Sequence, residues 1–286
     1  MTFCWDNVGK KVISRHPISE CRNKYIHMAL GYIAINRVST TQFDNKECKL
    51  AEDLPPQTFI PSDRDFECLR HRMEIIVGKI LCHHMPFFSD NFHDLTVPHI
   101  LHRHTAESSR RSILINLGVF KEDPSSTKGA IGIYEKLQTY VPTMDKELLT
   151  SIVYGDGLSC ERGNDAHKAR SNGLTPNERL EGLQPGVQEF HKEMILLQDY
   201  YDIFFKGSSA SEQGTLCQIK NLLNYRQVKS DISDNFNHAW ELMCTTTEGF
   251  VCMIAMQLMS LKKVDDQPNL HIKVTEMSQE DKKKYP

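Results

Sequence analysis

The chain has 286 residues and a net charge of −3, with 40% hydrophobic and 25% charged residues. This composition is typical of a globular protein with one or two domains. No run approaches about 18 apolar residues, and the first residues lack the charge order of a secretory signal, so we expect no membrane span and no secretion. The nine cysteines show no C-x-x-C spacing, which favours reduced thiols and a nuclear or cytoplasmic location.

The first half of the sequence carries most of the predicted strands. Residues 1–7 and 10–14 read as strands on either side of Val8 and Gly9, a pair that predicts a tight turn. Residues 24–38 form a third strand or a buried helix, because their periodicity fits both. Further strands are predicted at 112–120 and 151–156.

The predicted helices lie mainly in the second half. Ser62 caps a helix with apolar residues at helical spacing, and residues 82–104, rich in His and Pro, read as irregular. Pro185 and Gly186 are predicted to open another helix. That helix is expected at 186–205, and the others are expected at 127–141, 160–170, 215–227 and 235–261. The pattern predicts an α+β or mixed α/β fold with a mainly helical C-terminal half.

Asp156 is the first candidate for chemistry. It ends a buried strand between two glycines, at a sheet edge where ligand crevices form. The segment after it carries an acid and three cations that would suit a metal ion and a phosphate: Glu161, Arg162, Lys168 and Arg170. The alternative is that Asp156 only caps the helix that follows.

Asp6 is the second candidate, because it also follows an aromatic strand. Two acids on strands distant in sequence are what a divalent-metal nuclease site requires, since the carboxylates must converge on shared ions. We therefore expect Asp6 and Asp156 to bind Mg²⁺ or Mn²⁺. The alternative is that Asp6 and Asn7 simply form a turn before Val8 and Gly9.

The remaining members of the site are less defined by the sequence. Glu161 is the candidate third acid, beside the alternatives Glu212, Glu241 and Glu248, each of which also fits a solvated surface acid. His191 is a candidate ligand, proton shuttle or phosphate contact, and the alternative is a structural, hydrogen-bonded histidine.

A group of Cys and His residues at 82–104 raises the question of zinc. Cys82, His99 and His102 could form a zinc-stabilised module, since two His at i, i+3 on a helix can share a metal. The spacings match no standard zinc module, however, so we expect no zinc. The basic segment 102–111 could instead contact nucleic-acid backbone.

Two segments resemble a known family. The sequence "VYGDGLSCER" matches a GDxLTxER element, with Ser159 where Thr is usual, and "PGVQEFH" matches a Pro-x-x-x-x-(Trp/Phe)-His element that ends at His191. Together with the segments around 97–123 and 207–228, they resemble the domain-of-unknown-function family 6589 over nearly the whole chain. Its members are numerous in fungi and invertebrate animals, often as multicopy genes.

The resemblance implies a mobile-element origin and a similarity to RNase H-like transposases. In those enzymes the first acid lies on the first strand, the second follows the fourth strand, and a helical insertion precedes the third. Asp6 and Asp156 occupy the first two places. Relatives are typically longer at both ends, which implies that this chain is a fragment, a domesticated remnant or a truncated gene model.

Two functions follow as expectations. The first is a transposase-derived RNase H-like core that acts on phosphodiesters of DNA, with catalytic residues Asp6, Asp156, Glu161 and His191. The second is a non-catalytic nucleic-acid- or protein-binding domain descended from such a core. For either function we expect an RNase H-like core at 1–185 with an irregular insertion at about 39–110, a helical region at 186–262, and a disordered tail at 263–286.

Overall fold

The structure is a computed structural model that describes residues 1–13, 23–39, 51–93, 99–145, 147–207, 211–269 and 274–282. The chain forms two compact units. The first contains Met1–Gln42 and His104–Leu196, and the second contains Phe43–Arg103 and Leu197–Pro286. The domain boundaries expected from the sequence stay predictions.

The strands are β1 (Thr2–Val12), β2 (Lys24–Ile35), β3 (Ile113–Phe120), β4 (Thr143–Met144), β5 (Glu147–Leu148), β6 (Ser151–Gly155) and β7 (Leu183–Val187). The helices are α1 (Asp63–His84), α2 (Pro86–Phe92), α3 (Thr105–Ser108), α4 (Thr127–Gln138), α5 (Gly157–Ala169), α6 (Glu189–Phe204), α7 (Leu216–Leu222), α8 (Phe236–Leu258) and α9 (Gln279–Lys282). The mixed α/β class predicted from the sequence is confirmed.

The first unit is organised by a five-stranded sheet with the order β3-β2-β1-β6-β7. The pairs β1–β2 and β2–β3 are antiparallel, whereas β1–β6 and β6–β7 are parallel. Strand β1 therefore lies in the middle and joins a meander to a parallel pair. Parallel neighbours require a long crossover connection, and α5 supplies part of it between β6 and β7.

One face of this sheet forms the core of the first unit. Phe3, Trp5 and Val153 are buried on it and belong to a hydrophobic cluster that includes Tyr134 and Leu137 of α4. Burying side chains of this size contributes about 1.5–3 kcal/mol each. Because side chains alternate along a strand, Cys4 and Tyr154 lie on the opposite face.

The predicted turn at Val8 and Gly9 is wrong. Strand β1 continues through both residues, and Gly9 pairs with His27 of β2. A Cβ on Gly9 would lie 1.8 Å from Oη of Tyr25. The ring of Tyr25 thus lies over Gly9, and the long pairing with β2 replaces local turn formation.

The predicted start of a helix at Pro185 and Gly186 is also wrong. Both residues belong to β7, where Pro185 pairs with Val153 and Gly186 pairs with Tyr154. Strand β7 is an outer strand of this sheet, and an outer strand tolerates proline because one of its sides needs no ladder hydrogen bonds. The helix begins at Glu189.

The second unit is mainly helical in its described residues. The predicted helix after Ser62 is confirmed by a capping box, in which Ser62 and Asp65 bond to each other's backbone amides. The irregular structure predicted for 82–104 is wrong for Pro86–Phe92, where a proline at the first position of α2 suits a helix start. Residues 94–98 lie outside the described residues.

The core of the second unit is a separate hydrophobic cluster around Leu197, Tyr201 and Leu242. The hydroxyl of Tyr201 donates to the carbonyl of Ala239 at 2.8 Å, which satisfies a buried polar group. None of the described helices is apolar over a length that could cross a bilayer.

Helix α4 packs so closely against the loop before it that one of its positions, Gly129, has no room for a side chain. A Cβ on Gly129 would lie 1.9 Å from the backbone oxygen of Asp123, whereas one on Gly132 would meet only the flexible end of Glu122 at 3.0 Å. We expect Gly129→Ala to lower the free energy of unfolding by about 1–3 kcal/mol. Gly132→Ala, the control, should be neutral or raise it by up to about 1 kcal/mol. Urea denaturation measures both, and equal midpoints would contradict the packing described.

Candidate functional site

Asp6 lies within β1 and not in a turn. It pairs with Leu30 of β2, and its side chain is exposed. Its Oδ1 accepts a hydrogen bond from the amide of Asn7 at 2.7 Å. The turn interpretation of Asp6 is therefore wrong, because β1 continues for six residues beyond it as far as Val12.

Asp156 directly follows β6 and is the N-cap of α5. Its Oδ1 accepts from the amide of Ser159 at 2.6 Å. The cap interpretation is confirmed, but it occupies one oxygen only. No described residue donates a hydrogen bond to Oδ2, so this half-buried carboxylate keeps an oxygen that can bind something else.

The pairing of β1 with β6 places the two acids at matching positions. Phe3 pairs with Val153, and Cys4 pairs with Tyr154, so each acid lies two residues after the last pair. One residue beyond that pair the chains are still adjacent, because a Cβ on Gly155 would lie 3.5 Å from the carbonyl oxygen of Trp5. Neighbouring strands are about 4.8 Å apart.

The two acids also share a face of the sheet. Phe3 and Val153 point into the core, so alternation along β1 assigns Asp6 to the opposite face. Asp156 keeps an extended backbone, with φ −70° and ψ 176°, so alternation along β6 assigns it to the same opposite face. The arrangement can therefore present two carboxylates to one ligand.

Tyr32 lies on the same face, opposite Cys4. Its pKa is raised to about 12, chiefly by a hydrogen bond to the Cys4 thiol and then by burial, with a smaller effect from the charge of Asp6. The nearby Gln188 side chain acts in the opposite direction and lowers this pKa. Burial raises the pKa of Cys4. The phenol and the thiol thus stay neutral beside the acids.

The predicted phosphate-binding cations differ in their availability. Arg162 Nη1 is 2.9 Å from Oδ2 of Asp165, and Arg170 forms an ion pair with Glu135 of α4. Lys168 is exposed. Glu161 is exposed as well, and Oε1 of its carboxylate is 3.9 Å from Arg162. Two of the three cations are therefore already partnered by acids of their own unit.

His191 lies in the first turn of α6 and is half-buried. Its ring contacts that of Phe190 with the centroids 5.7 Å apart, and its amide donates to the carbonyl of Gln188. These contacts fix its position next to the end of β7. Its predicted role stays a prediction.

The Cys and His residues at 82–104 have partners other than a metal. His84 Nε2 is 2.8 Å from Oε2 of Glu248, the Cys82 thiol donates to the carbonyl of Phe88 at 3.6 Å, and the rings of His99 and His102 are 6.0 Å apart. Within the part of the chain that the structure describes, no three His, Cys, Asp or Glu side chains are grouped to hold a metal. The described cysteines form no disulfide.

Two residues near the acids were not found from the sequence. Tyr32 could not be placed, because its segment fitted both a strand and a helix. Gln188 was assigned to a helix that begins one residue after it. The Pro185-Gly186 pair was the available signal, because it also fits an outer strand that ends just before Gln188.

One family model matches most of the chain. DUF6589, described as a family of unknown function, matches residues 49–278. The chain belongs to this family. The match includes Asp156, Glu161 and His191, whereas Asp6 lies before it. No curated protein and no solved structure matched the chain.

The cap at Asp156 makes a prediction about stability that is independent of any ligand. Asp156→Ala removes the acceptor for the Ser159 amide and should lower the free energy of unfolding by about 1 kcal/mol, whereas Asp156→Asn keeps a capping oxygen and should cost less. Glu161→Ala on the same helix is the control, with an expected change within about 0.5 kcal/mol. An unchanged urea midpoint for Asp156→Ala would show that the cap is not formed.

Proposed function

We propose that this DUF6589 member is a transposase-derived, RNase H-like domain in which Asp6 and Asp156 bind Mg²⁺ or Mn²⁺ for phosphodiester chemistry. The strand arrangement supports the proposal. An antiparallel meander is followed by two strands parallel to the first, and the acids lie on the first strand and after the fourth strand of the sheet. This is the placement that the resemblance to RNase H-like transposases implies.

The single observation that carries the proposal is the parallel pairing of β1 with β6. It aligns Cys4 with Tyr154 and thereby brings Asp6 and Asp156 to the same edge and the same face. Carboxylates from distant parts of the sequence are brought together in this way only by the fold, and a shared cation would offset their mutual repulsion.

The chemistry of the donors fits a hard divalent cation. Magnesium is commonly bound by one or two carboxylates and completes its coordination with water and substrate phosphate. Asp156 Oδ2 receives no hydrogen bond from a described residue, so one carboxylate oxygen is left for such a cation.

The proposal gives each of the candidate residues a role. Asp6 and Asp156 hold the cation, which when bound polarises a phosphodiester and favours in-line attack by water or a 3′-hydroxyl. Lys168 offers an exposed charge to a phosphate, and Arg162 and Arg170 can exchange their acid partners for phosphates at low cost, because surface ion pairs contribute about 0–1 kcal/mol. Glu161 and His191 are the proposed acid and proton-transfer residue.

A second candidate function is nucleic-acid binding without cleavage. It is favoured by the observation that no third acidic or imidazole ligand joins the two carboxylates among the described residues. Such a domain would keep the cations of α5 and lose the chemistry. Its binding would weaken as salt rises, since phosphate contacts release counterions.

The two functions are separated by a nicking assay with Mg²⁺ or Mn²⁺ on the full chain. We expect metal-dependent nicking of DNA that falls about 100-fold or more in Asp156→Asn and in Asp6→Asn, since loss of even an outer-shell metal contact costs 10–100-fold. Asp156→Asn keeps the cap, so the fold is preserved. Asp199→Asn, at an exposed position of α6, should not change the rate.

The binding of the same DNA, measured in parallel, decides between the outcomes. Salt-sensitive binding with no nicking in the wild-type protein would support the second function and rule out the first. Nicking that is unchanged in Asp156→Asn would show that the activity does not come from this site.

A further inference from the structure

Strand β3 is one edge of the five-stranded sheet, since β2 is its only neighbour among the described residues. An edge strand presents backbone N–H and C=O groups that can pair with a further strand. The sequence of β3, ILINLGVF, contains no charged residue and no proline. Proteins use such residues to prevent pairing at an edge. The edge at β3 is therefore suited to accept another strand.

The two edges of the sheet differ in this respect. At the opposite edge, β7 is only five residues long and contains Pro185, which cannot donate to a ladder. Strand β3 instead exposes four apolar side chains: Ile113 is 58% exposed, Leu114 62%, Ile115 47% and Val119 51%. Exposed apolar residues grouped in this way mark an interaction surface.

A bulge in β3 determines which of its residues share a face. Leu114 and Val119 pair with residues four apart on β2, and Ile113 and Phe120 pair with residues six apart, whereas Leu117 is left out of the pairing. The extra residue shifts the alternation of side chains by one position. Leu114 and Val119 therefore lie on one face of the sheet, and Ile113 and Phe120 lie on the other.

This shift makes the edge complementary to itself. A two-fold axis perpendicular to the sheet, placed at the bulge, brings a second copy of β3 alongside in antiparallel orientation and keeps each residue on its own face. Leu114 then lies opposite Val119 of the second copy, and Ile113 lies opposite its Phe120, so each pair shares a face. Without the bulge, this register would oppose residues of different faces. Apolar cross-strand pairs of this kind stabilise a sheet.

The same register brings opposite charges together. Arg110 and Arg111 precede β3 and are exposed, and Glu122 and Asp123 follow it. In the two-fold pair, Arg110 lies opposite Asp123 and Arg111 lies opposite Glu122. Lys121, the other charged residue at this end, lies opposite a serine and meets no like charge. Opposite charges on facing strands add to the stability of the pair.

We propose that the chain forms a two-fold dimer in which β3 pairs antiparallel with β3 of a second copy and joins two five-stranded sheets into one. The matching faces and the matching charges both favour a second copy over an unrelated strand. The inference is independent of the proposed function, because it uses neither Asp6 nor Asp156. One pair of short strands is a small contact beside the about 1,200–2,000 Å² of stable complexes, so we expect a dimer that dissociates on dilution.

The test is the association state of the full chain, measured by sedimentation velocity and light scattering over a series of protein concentrations. We expect a reversible monomer–dimer equilibrium. Leu114→Lys places a charge in the apolar pairing twice per dimer and should raise the dissociation constant about 10-fold or more. Leu174→Lys, at a position that is 90% exposed and distant from β3 in sequence, is the matched control and should leave it unchanged. Circular dichroism and urea midpoints confirm that each variant is folded.

A charge exchange tests the identity of the partner. Arg111→Glu and Glu122→Arg each place like charges opposite one another and should weaken the dimer by about 3–10-fold, whereas the double variant should restore it. Glu122→Arg also removes the ion pair with Lys136, but it does so in the single and the double variant alike. Restoration is expected only when the chain pairs with its own copy.

Three results would overturn the inference: a monomer at every concentration, a dimer that Leu114→Lys does not weaken, or a double variant that stays as weak as the single ones. Open-ended assembly would overturn it as well. A contact between β3 of one copy and β7 of the next leaves free edges at both ends, whereas the two-fold pairing of β3 closes after two copies.

Discussion

The sheet of the first unit, and the position of the two acids on it, depend on a central strand with one antiparallel and one parallel neighbour. Strand β1 is antiparallel to β2 and parallel to β6. The antiparallel side extends far beyond the parallel side, since pairing with β6 stops at Cys4 while pairing with β2 continues to Val12. Asp6 thus lies where β1 has lost one neighbour and kept the other. A side chain at such a point is held by a rigid strand and is still open to a ligand.

Capping and metal binding by Asp156 are compatible. The cap uses Oδ1 and the amide of Ser159, which fixes the rotamer of the side chain before any ligand arrives. A ligand that meets a fixed carboxylate loses less conformational entropy on binding than one that must order it. The cap therefore does not argue against the site, and it sets the direction of Oδ2, the oxygen without a described donor. Replacing aspartate by asparagine separates the two roles, because the amide oxygen can cap and carries no charge.

The sequence predicted those elements whose signals are local. Strands β3 and β6, helix α4 and the capped start of α1 are close to the predicted positions because apolar periodicity and capping residues define them. It failed where long-range pairing overrides a local signal: Val8-Gly9 is held extended by β2, and Pro185-Gly186 is held extended by β6. Asp6 and Asp156 were found as strand-associated acids. Gln188 and Tyr32 could not be predicted as neighbours of the acids, because they come near them only once β7, β6, β1 and β2 lie side by side.

The charges around the site explain why two acids can coexist there with the predicted cations. Arg162 and Arg170 are neutralised by Asp165 and Glu135, so neither cation competes with a metal for the two carboxylates. Cys4 and Tyr32 are kept neutral by raised pKa values and add no negative charge beneath them. Asp6 and Asp156 therefore keep their negative charges unpaired by these two cations. Like charges on adjacent strands are destabilising without a counterion, and at the proposed site a divalent cation would offset this repulsion more fully than a monovalent one.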